Sequence, residues 1–241
     1  MAGFDPVRVL VAQPDADTPL GLLEPPLRSA GIELEYWSPR FDPPPAGPFD
    51  GMILLGSETN PDEEAFEPWI GSYRAEAGVA LELGIPVLGV CFGAQILAEE
   101  AGGATNRMDD AEIGWVEVHP VIESTDDLLL SALPDEGVHL LSWHRYSIEL
   151  PEAAIRTAAP TVCEQAFRLP GRNVWGIQFH FEADEQIIEE WLSNAVERLA
   201  AGDVDIAGIR AGIERFSDQA AVVAGRIGEG FADAVRRHAN P

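Results

Sequence analysis

Short apolar runs alternate along this chain with segments whose apolar residues recur three or four positions apart. Four such runs lie at residues 7–12, 32–37, 52–55 and 85–90. Apolar runs of this length are typical of strands in a parallel sheet, whereas the spacing within residues 20–30 and 67–83 predicts helices between them. The pattern therefore predicts an α/β fold with an open, mostly parallel sheet flanked by helices.

From residue 112 to residue 178 the hydrophobic pattern changes to short stretches of alternating polarity, separated by turns rich in proline, glycine and aspartate. This pattern predicts antiparallel strands that cover or extend the main sheet. The predicted strands are residues 114–121, 137–142, 146–150, 154–158 and 161–169.

The last part of the chain is predicted to be helical. A helix is expected to start at Asp184 and run to about residue 200, where Gly202 and Asp203 break it. An apolar stripe between Ile206 and Val235 then predicts one or two further helices. We therefore expect a domain at residues 1–200 and a helical extension at 201–241 that packs on it, although the stripe would also suit a dimer or partner surface.

One strand–turn–helix stretch carries a candidate nucleophile. Gly89 and Gly93 flank Cys91 at two residues on either side, between the apolar run 85–90 and a helix predicted at 92–101. Small neighbours allow a sharp bend that exposes one reactive side chain above the sheet, near the positive end of the helix. The bend would also aim the Phe92 backbone N–H at an oxyanion forming beside the sulfur. A tight turn with a buried thiol is the alternative.

A second strand-like run, residues 174–182, ends with His180 and Glu182. Side chains two apart share a face of an extended segment, so the carboxylate would hold the imidazole and the imidazole would hold the sulfur of Cys91. The sequence therefore predicts a Cys–His–Glu catalytic triad.

These motifs resemble those of class I, triad-type glutamine amidotransferases, in particular the stand-alone kind compared with the glutaminase half of GMP synthase. The resemblance rests on residues 89–95 and 176–182, with weaker support from 50–57 and 142–144, and it extends from about Val7 to about Leu199. It implies the flavodoxin-like fold of that family and hydrolysis of the glutamine side-chain amide through a thioester, with no cofactor.

The resemblance also implies roles for residues around the predicted triad. A backbone N–H near Gly56 or Ser57 would complete the oxyanion hole with Phe92, provided that Ser57, at a position where the family usually has glycine, keeps a negative φ. Gln95 would help to hold the amino-acid head of the substrate. His144 would line the substrate pocket, although the family often has His-Gly-Asp where this chain has His144, Arg145 and Tyr146.

Composition narrows the function classes. The formal net charge is −26, and all 15 basic residues are arginine, so binding to nucleic acid or to anionic membranes is disfavoured. Two cysteines, no apolar run of about 20 residues and no signal-like start predict a reducing, cytoplasmic setting. Cys163 is expected to be a buried structural thiol. His119, His139 and His238 lack ligand spacing, so no metal site is predicted.

Three functions remain open at this stage. The first is a glutaminase that hands ammonia to a separate synthase or amidating subunit, since no such module is recognisable in the chain. The second is an independent γ-glutamyl peptidase or amidase, and Arg145 with Tyr146 gives it mild support. The third is a non-catalytic scaffold, for which Ser57 and Phe181, the latter where relatives usually have proline, are the only arguments. A homo-oligomer is compatible with all three.

Overall fold

The computed structural model describes residues 6–121, 126–159, 161–202 and 204–240. Its main sheet contains seven strands, in the spatial order β2-β1-β3-β4-β9-β8-β7. The strands are β1 Arg8–Ala12, β2 Glu33–Trp37, β3 Gly51–Leu54, β4 Val87–Val90, β7 Ile155–Ala158, β8 Ala166–Arg168 and β9 Val174–Ile177. Neighbours from β2 to β9 are parallel, whereas β8 and β7 extend the sheet antiparallel. The α/β fold with a mostly parallel sheet is thus confirmed.

Helices cover both faces of this sheet, because alternate residues of each central strand point to opposite sides. Val9 and Val11 of β1 belong to one apolar core, and Leu10 and Ala12 belong to the other. The first core is shared with α1 (Glu24–Ser29) and with the long C-terminal helix, whereas α2 (Trp69–Leu83) and α3 (Phe92–Glu100) line the second. Burial on both faces explains why the strands of the parallel part are so apolar.

The remaining two strands form a separate long ribbon. β5 (Ala104–Val118) and β6 (Val138–Glu149) pair antiparallel, with a register shift between Arg107 and Glu112. A bridge between Leu141 and His180 connects this ribbon to the segment that follows β9. The ribbon therefore forms a wall beside the carboxyl end of the sheet, where open α/β sheets bind their ligands.

Three helices complete the chain: α4 (Glu185–Asn194), α5 (Val196–Ala201) and α6 (Ile206–Ala239). The side chain of Asp184 caps α4 by accepting a hydrogen bond from the Ile187 N–H at 2.9 Å. Ile209 and Ile213, near the start of α6, pack with α4 and α5 in a third apolar cluster. Further along α6, Ile227 and Phe231 are fully buried in the first core of the sheet.

The predicted elements of the parallel part are present, but those of the ribbon differ. β5 begins ten residues before the predicted start at residue 114, and β6 runs unbroken through residues 143–145, where we expected a gap between two strands. Residues 161–165 are not in a strand, so only 166–168 of the predicted 161–169 pair with a neighbour. The pairing of β5 with β6 joins segments that are distant in the sequence, so local polarity did not define the ends of these two strands.

At the C-terminal end, α6 is one helix of 34 residues. The helix expected from Asp184 to about residue 200 is divided at Ala195 into α4 and α5, and α5 ends just before Gly202, as expected. Asp203 lies outside the described residues. The division at residue 200 stays a prediction, while the burial of α6 in the sheet's own core fits a helix that is integral to the fold. In the part of the chain that the structure describes, every helix is too short or too polar to cross a lipid bilayer.

Replacing Phe231 by alanine tests whether α6 is integral to the fold. Phe231 is 0% exposed, and removal of a buried phenylalanine costs about 3–5 kcal/mol. We expect Phe231→Ala to lower the urea midpoint of unfolding strongly, and Val222→Ala, at a position that is 54% exposed on the same helix, to change the free energy of unfolding by less than about 0.5 kcal/mol. Equal midpoints for the two variants would mean that α6 is dispensable.

Candidate active site

Cys91 lies on a strained bend between β4 and α3. Its φ of 50° and ψ of −109° are unusual, and it is the one non-glycine residue with a positive φ in the described ranges. Such a conformation persists only where the surrounding structure enforces it. The Cys91 N–H donates to the carbonyl of Ile177 at 2.8 Å, which fixes the bend to the neighbouring strand.

The two flanking glycines make the bend sterically feasible. A Cβ atom at Gly93 would lie 2.0 Å from the carbonyl oxygen of Leu54, and one at Gly89 would lie 2.7 Å from the carbonyl oxygen of Gly93. Both distances are far below van der Waals contact. The helix can therefore approach strands β3 and β4 closely enough to place Cys91 at its N-terminus, where the helix dipole favours negative charge.

The structure brings His180 and Glu182 together with Cys91. Nδ1 of His180 lies 2.6 Å from Oε1 of Glu182, and the His180 backbone N–H donates to the carbonyl of Leu141 at 2.7 Å. His180 and Glu182 lie beyond the end of β9. The hydrogen bonds just described therefore orient their side chains, and strand alternation does not. All three side chains are buried, with Cys91 at 5%, His180 at 5% and Glu182 at 4% exposed.

The charge balance at His180 favours the imidazolium. Burial alone would lower the pKa of His180. The interactions of the ring with Glu182 and Cys91 outweigh this effect of burial and raise the pKa of His180 to about 10. The ring also packs edge-on against Trp191, with centroids 4.7 Å apart. Phe181, the departure from the usual family pattern, is fully buried and packs against Phe179 in the core.

The loop after β3 lies directly against the candidate nucleophile. A Cβ atom at Gly56 would be 3.6 Å from Cβ of Cys91 and 3.5 Å from Cε1 of His180. Ser57 keeps a φ outside the positive range, as the oxyanion-hole prediction requires. Its hydroxyl donates to Asp15 at 2.6 Å, and Asp15 pairs with Arg40 at 2.6 Å. Sequence reasoning missed Asp15 and Arg40, which lie on separate loops with no local motif.

A cavity of about 360 Å³ opens in front of Cys91 and His180. Gln95 and His144 line it, but both side chains are held by hydrogen bonds within the protein. The amide nitrogen of Gln95 donates to the Tyr146 carbonyl and to the Gln178 side chain, both at 3.1 Å. Their proposed contacts with substrate therefore stay predictions, and the geometry fits positioning roles for both side chains.

His144 belongs to a polar cluster behind the cavity wall that sequence reasoning did not find. Its Nδ1 lies 3.1 Å from the Tyr146 carbonyl, and its Nε2 lies 2.9 Å from Oε2 of Glu112 and 3.9 Å from Sγ of Cys163. Burial opposes ionisation of Glu112, but hydrogen bonds from His144 and Thr161 lower its pKa to about 2. Burial, together with the charge of Glu112, raises the pKa of Cys163 to about 12, so Cys163 is not an activated nucleophile.

Most of the charged side chains that line the cavity are acidic. Arg145 is the one arginine among the described residues that line the cavity, whereas Asp17, Glu58 and Asp110 supply carboxylates. Trp143 contributes a further contact, because its carbonyl oxygen lies 3.8 Å from Sγ of Cys91. Trp143 and Arg145 lie in the stretch of β6 where we expected a gap between two strands. The sequence drew attention to Arg145 only as a departure from the family pattern.

Comparison with known proteins agrees with this architecture. The solved structure of a glutamine amidotransferase from Thermotoga maritima superposes with a TM-score of 0.85 over 94% of this chain and 98% of that one, at 24% identity. A glutamine amidotransferase from Methylobacillus flagellatus superposes with a TM-score of 0.83 over 96% of each chain, at 23% identity. At these identities the superpositions establish the fold.

Sequence comparison establishes the family. A protein of Natronomonas pharaonis, named as one of the subunits of a glutamine-hydrolysing GMP synthase, is 33% identical over 171 residues, which are 68% of this chain and 85% of that protein. GMP synthase of Porphyromonas gingivalis is 33% identical over 134 residues, but these are only 24% of its length. The family model for class-I glutamine amidotransferases matches residues 27–198. This chain therefore belongs to the class-I glutamine amidotransferase family.

Proposed function

We propose that this protein hydrolyses the side-chain amide of glutamine through Cys91, His180 and Glu182. The observation that carries the proposal is the strained bend that presents Cys91 to a cavity beside a histidine paired with a buried carboxylate. An activated nucleophile, a base and a group that orients the base are the three parts that such acyl transfer needs. Membership of the class-I family supports the same reaction.

The first half of the reaction forms a thioester. The sulfur of Cys91, whose proton His180 holds, attacks the amide carbon and gives a tetrahedral intermediate. The Phe92 N–H, at the start of α3, and a backbone N–H at Gly56 or Ser57 stabilise its oxygen. His180 then donates its proton to the leaving nitrogen, and ammonia departs. Glu182 keeps the ring oriented and stabilises its positive charge.

The second half releases glutamate. Neutral His180 now takes a proton from a water molecule, which attacks the thioester carbon, and Cys91 leaves as the thiolate. The cycle returns the pair to its starting state and consumes one water. Every step uses side chains and backbone groups of this chain, so the mechanism needs no cofactor.

Recognition of a free amino acid would come from the charges of the cavity. We assign the α-carboxylate of glutamine to Arg145 and its α-amino group to the acidic side of the cavity, where Asp110 lies. Ammonia would pass to a separate amidating protein. The relative from Natronomonas pharaonis supports this arrangement, because its name makes it one of the subunits of its synthase.

Glutamate release from a panel of donors tests the reaction. We expect glutamine to be cleaved faster than γ-glutamyl amides and peptides, and Cys91→Ala to lower the rate by a factor on the order of 10⁴. Faster cleavage of γ-glutamyl peptides would establish the peptidase alternative. Failure to cleave any donor, together with failure of a glutamine-analogue electrophile to label Cys91, would leave the scaffold alternative.

The pairing of His180 with Glu182 predicts a specific titration. In ¹⁵N-labelled protein the His180 ring should titrate with a pKa of about 10, and Glu182→Gln should lower this pKa by about 1–3 units. Glu190→Gln, on the exposed face of α4, is the matched control and should leave the titration unchanged. A pKa of His180 that is insensitive to Glu182→Gln would refute the pairing.

The raised pKa of His180 also predicts how its pairing with Glu182 changes the stability of the protein with pH. Because the folded-state pKa of His180 lies above its ordinary value of 6.5, the pairing adds stability that is complete below about pH 6.5 and is lost as the pH rises through about 10. The stability advantage of the wild type over Glu182→Gln should therefore shrink between these two pH values, as followed by urea unfolding.

Substitution of Arg145 tests how the substrate is held. A charged hydrogen bond contributes about 1.5–3 kcal/mol, so Arg145→Gln should raise KM for glutamine about 10- to 100-fold and change kcat little. Arg237→Gln, at a side chain that is 71% exposed and far along α6, is the matched control. A fall in kcat at unchanged KM would show that Arg145 acts in the chemical step instead.

A further inference from the structure

Three side chains behind the cavity wall present metal-ligating atoms to one common point. Glu112 lies on β5, His144 on β6, and Cys163 in the segment between β7 and β8. One ligand atom of each lies within 4.8 Å of the other two. Glu112 and His144 are 32 residues apart in the sequence, and His144 and Cys163 are 19 apart. No local spacing motif therefore predicts the cluster.

The cluster is not a second catalytic triad. In a triad the nucleophile and the carboxylate contact different nitrogens of the imidazole. Here Glu112 and Cys163 both face Nε2 of His144, at 2.9 and 3.9 Å, while Nδ1 faces the Tyr146 carbonyl. Convergence of an oxygen, a nitrogen and a sulfur on one point is the arrangement of a coordination site.

We propose that Glu112, His144 and Cys163 bind a divalent zinc ion that ties the ribbon to the segment between β7 and β8. Carboxylate, imidazole and thiolate are the ligands that zinc takes in proteins, and bond lengths of about 2.0–2.3 Å in a tetrahedron separate neighbouring ligand atoms by roughly 3.3–3.6 Å. The observed 2.9 and 3.9 Å bracket these separations. The ligand atoms of Glu112 and Cys163 lie within 4.8 Å of each other, so adjustments of up to roughly 1 Å by side-chain rotation complete the geometry.

The surroundings orient the three ligands as outer-shell groups do in known metal sites. Donation of the Nδ1 proton to the Tyr146 carbonyl leaves Nε2 of His144 as the ligand atom. The hydroxyl groups of Ser142 and Thr161 donate to the Glu112 carboxylate at 3.0 and 2.6 Å and hold it in place. Zinc binding would displace the thiol proton of Cys163 to solvent, and the divalent cation would then neutralise the two negative charges of the carboxylate and the thiolate in this buried setting.

Gln165 offers the fourth ligand. Its Oε1 is one of the buried polar atoms that have no hydrogen-bond partner within the described residues. Its Nε2 points into the cluster, 3.0 Å from Oε2 of Glu112 and 3.7 Å from Sγ of Cys163. A half-turn of the amide exchanges these two atoms and brings the carbonyl oxygen to the same place, and this would close the coordination shell as in structural zinc sites.

Such an ion would act on the shape of the active-site cavity and not on the reaction itself. His144 is flanked by Trp143, whose carbonyl contacts Sγ of Cys91, and by Arg145, which lines the cavity. The cluster lies close to the protein surface, since Val162, next to Cys163 in the sequence, is 70% exposed. The proposal is independent of the glutamine chemistry, because no proposed catalytic group coordinates the ion.

Metal binding by the purified protein tests the site. We expect about one equivalent of zinc per chain after dialysis against zinc and then buffer, and a cobalt–thiolate absorption band when cobalt replaces zinc. Cys163→Ser should abolish the band, and Cys91→Ser, which removes the other cysteine, should leave it unchanged. A band that disappears with Cys91→Ser and persists with Cys163→Ser would place the metal at the candidate nucleophile and overturn the proposal.

Two further measurements do not depend on the folding of the Cys163 variant. X-ray absorption on the zinc-loaded wild type should show one sulfur at about 2.3 Å and nitrogen or oxygen ligands at about 2.0–2.2 Å. Glu112→Gln should weaken zinc binding at least about tenfold while the cobalt–thiolate band remains at saturating cobalt. A wild-type chain that retains no zinc and gives no thiolate band would show that the cluster is a hydrogen-bonded network only.

Discussion

The close approach of α3 to the sheet is the constraint on which the candidate site depends. Gly93 lies so near the Leu54 carbonyl that any side chain there would displace the helix, and Gly89 is packed as tightly beneath the bend. This proximity enforces the positive φ of Cys91 and holds the sulfur at a helix N-terminus. The parallel order β3-β4-β9 is equally necessary, because it places the loop that carries Gly56 and Ser57 on one side of Cys91 and His180 on the other.

A second constraint is the cost of burying charge. Glu182 is 4% exposed and one of its oxygens has no partner within the described residues, so its stabilisation comes mainly from His180. Buried ions are tolerated when paired, and removal of one partner leaves the other uncompensated. Glu112 and His144 form a second buried pair on the ribbon. The two pairs share β6, since Leu141 of that strand binds the His180 backbone and the same strand carries His144.

Sequence reasoning succeeded where local patterns determine structure. The bend at Cys91 follows from two glycines within five residues, and the central strands follow from their apolar runs. It did not anticipate contacts between distant segments. Arg40 lies 25 residues from Asp15 and 27 from Glu67, yet it pairs with both and steadies the loop that carries Ser57. The sequence also did not predict that β6 is continuous through residues 143–145, because this continuity follows from the pairing of β6 with the distant strand β5.

The burial pattern of α6 explains why a helix at the end of the chain matters to a site formed by its middle. Ile209 and Ile213 pack beside Trp191, which contacts the His180 ring, while Phe231 lies in the core under the sheet. A helix of 34 residues is roughly 50 Å long, so one rigid element spans both regions. The helix α6 thus connects the packing around Trp191 and His180 with the core of the sheet. An apolar stripe that served only a partner would leave these side chains exposed, whereas the structure buries them within the chain itself.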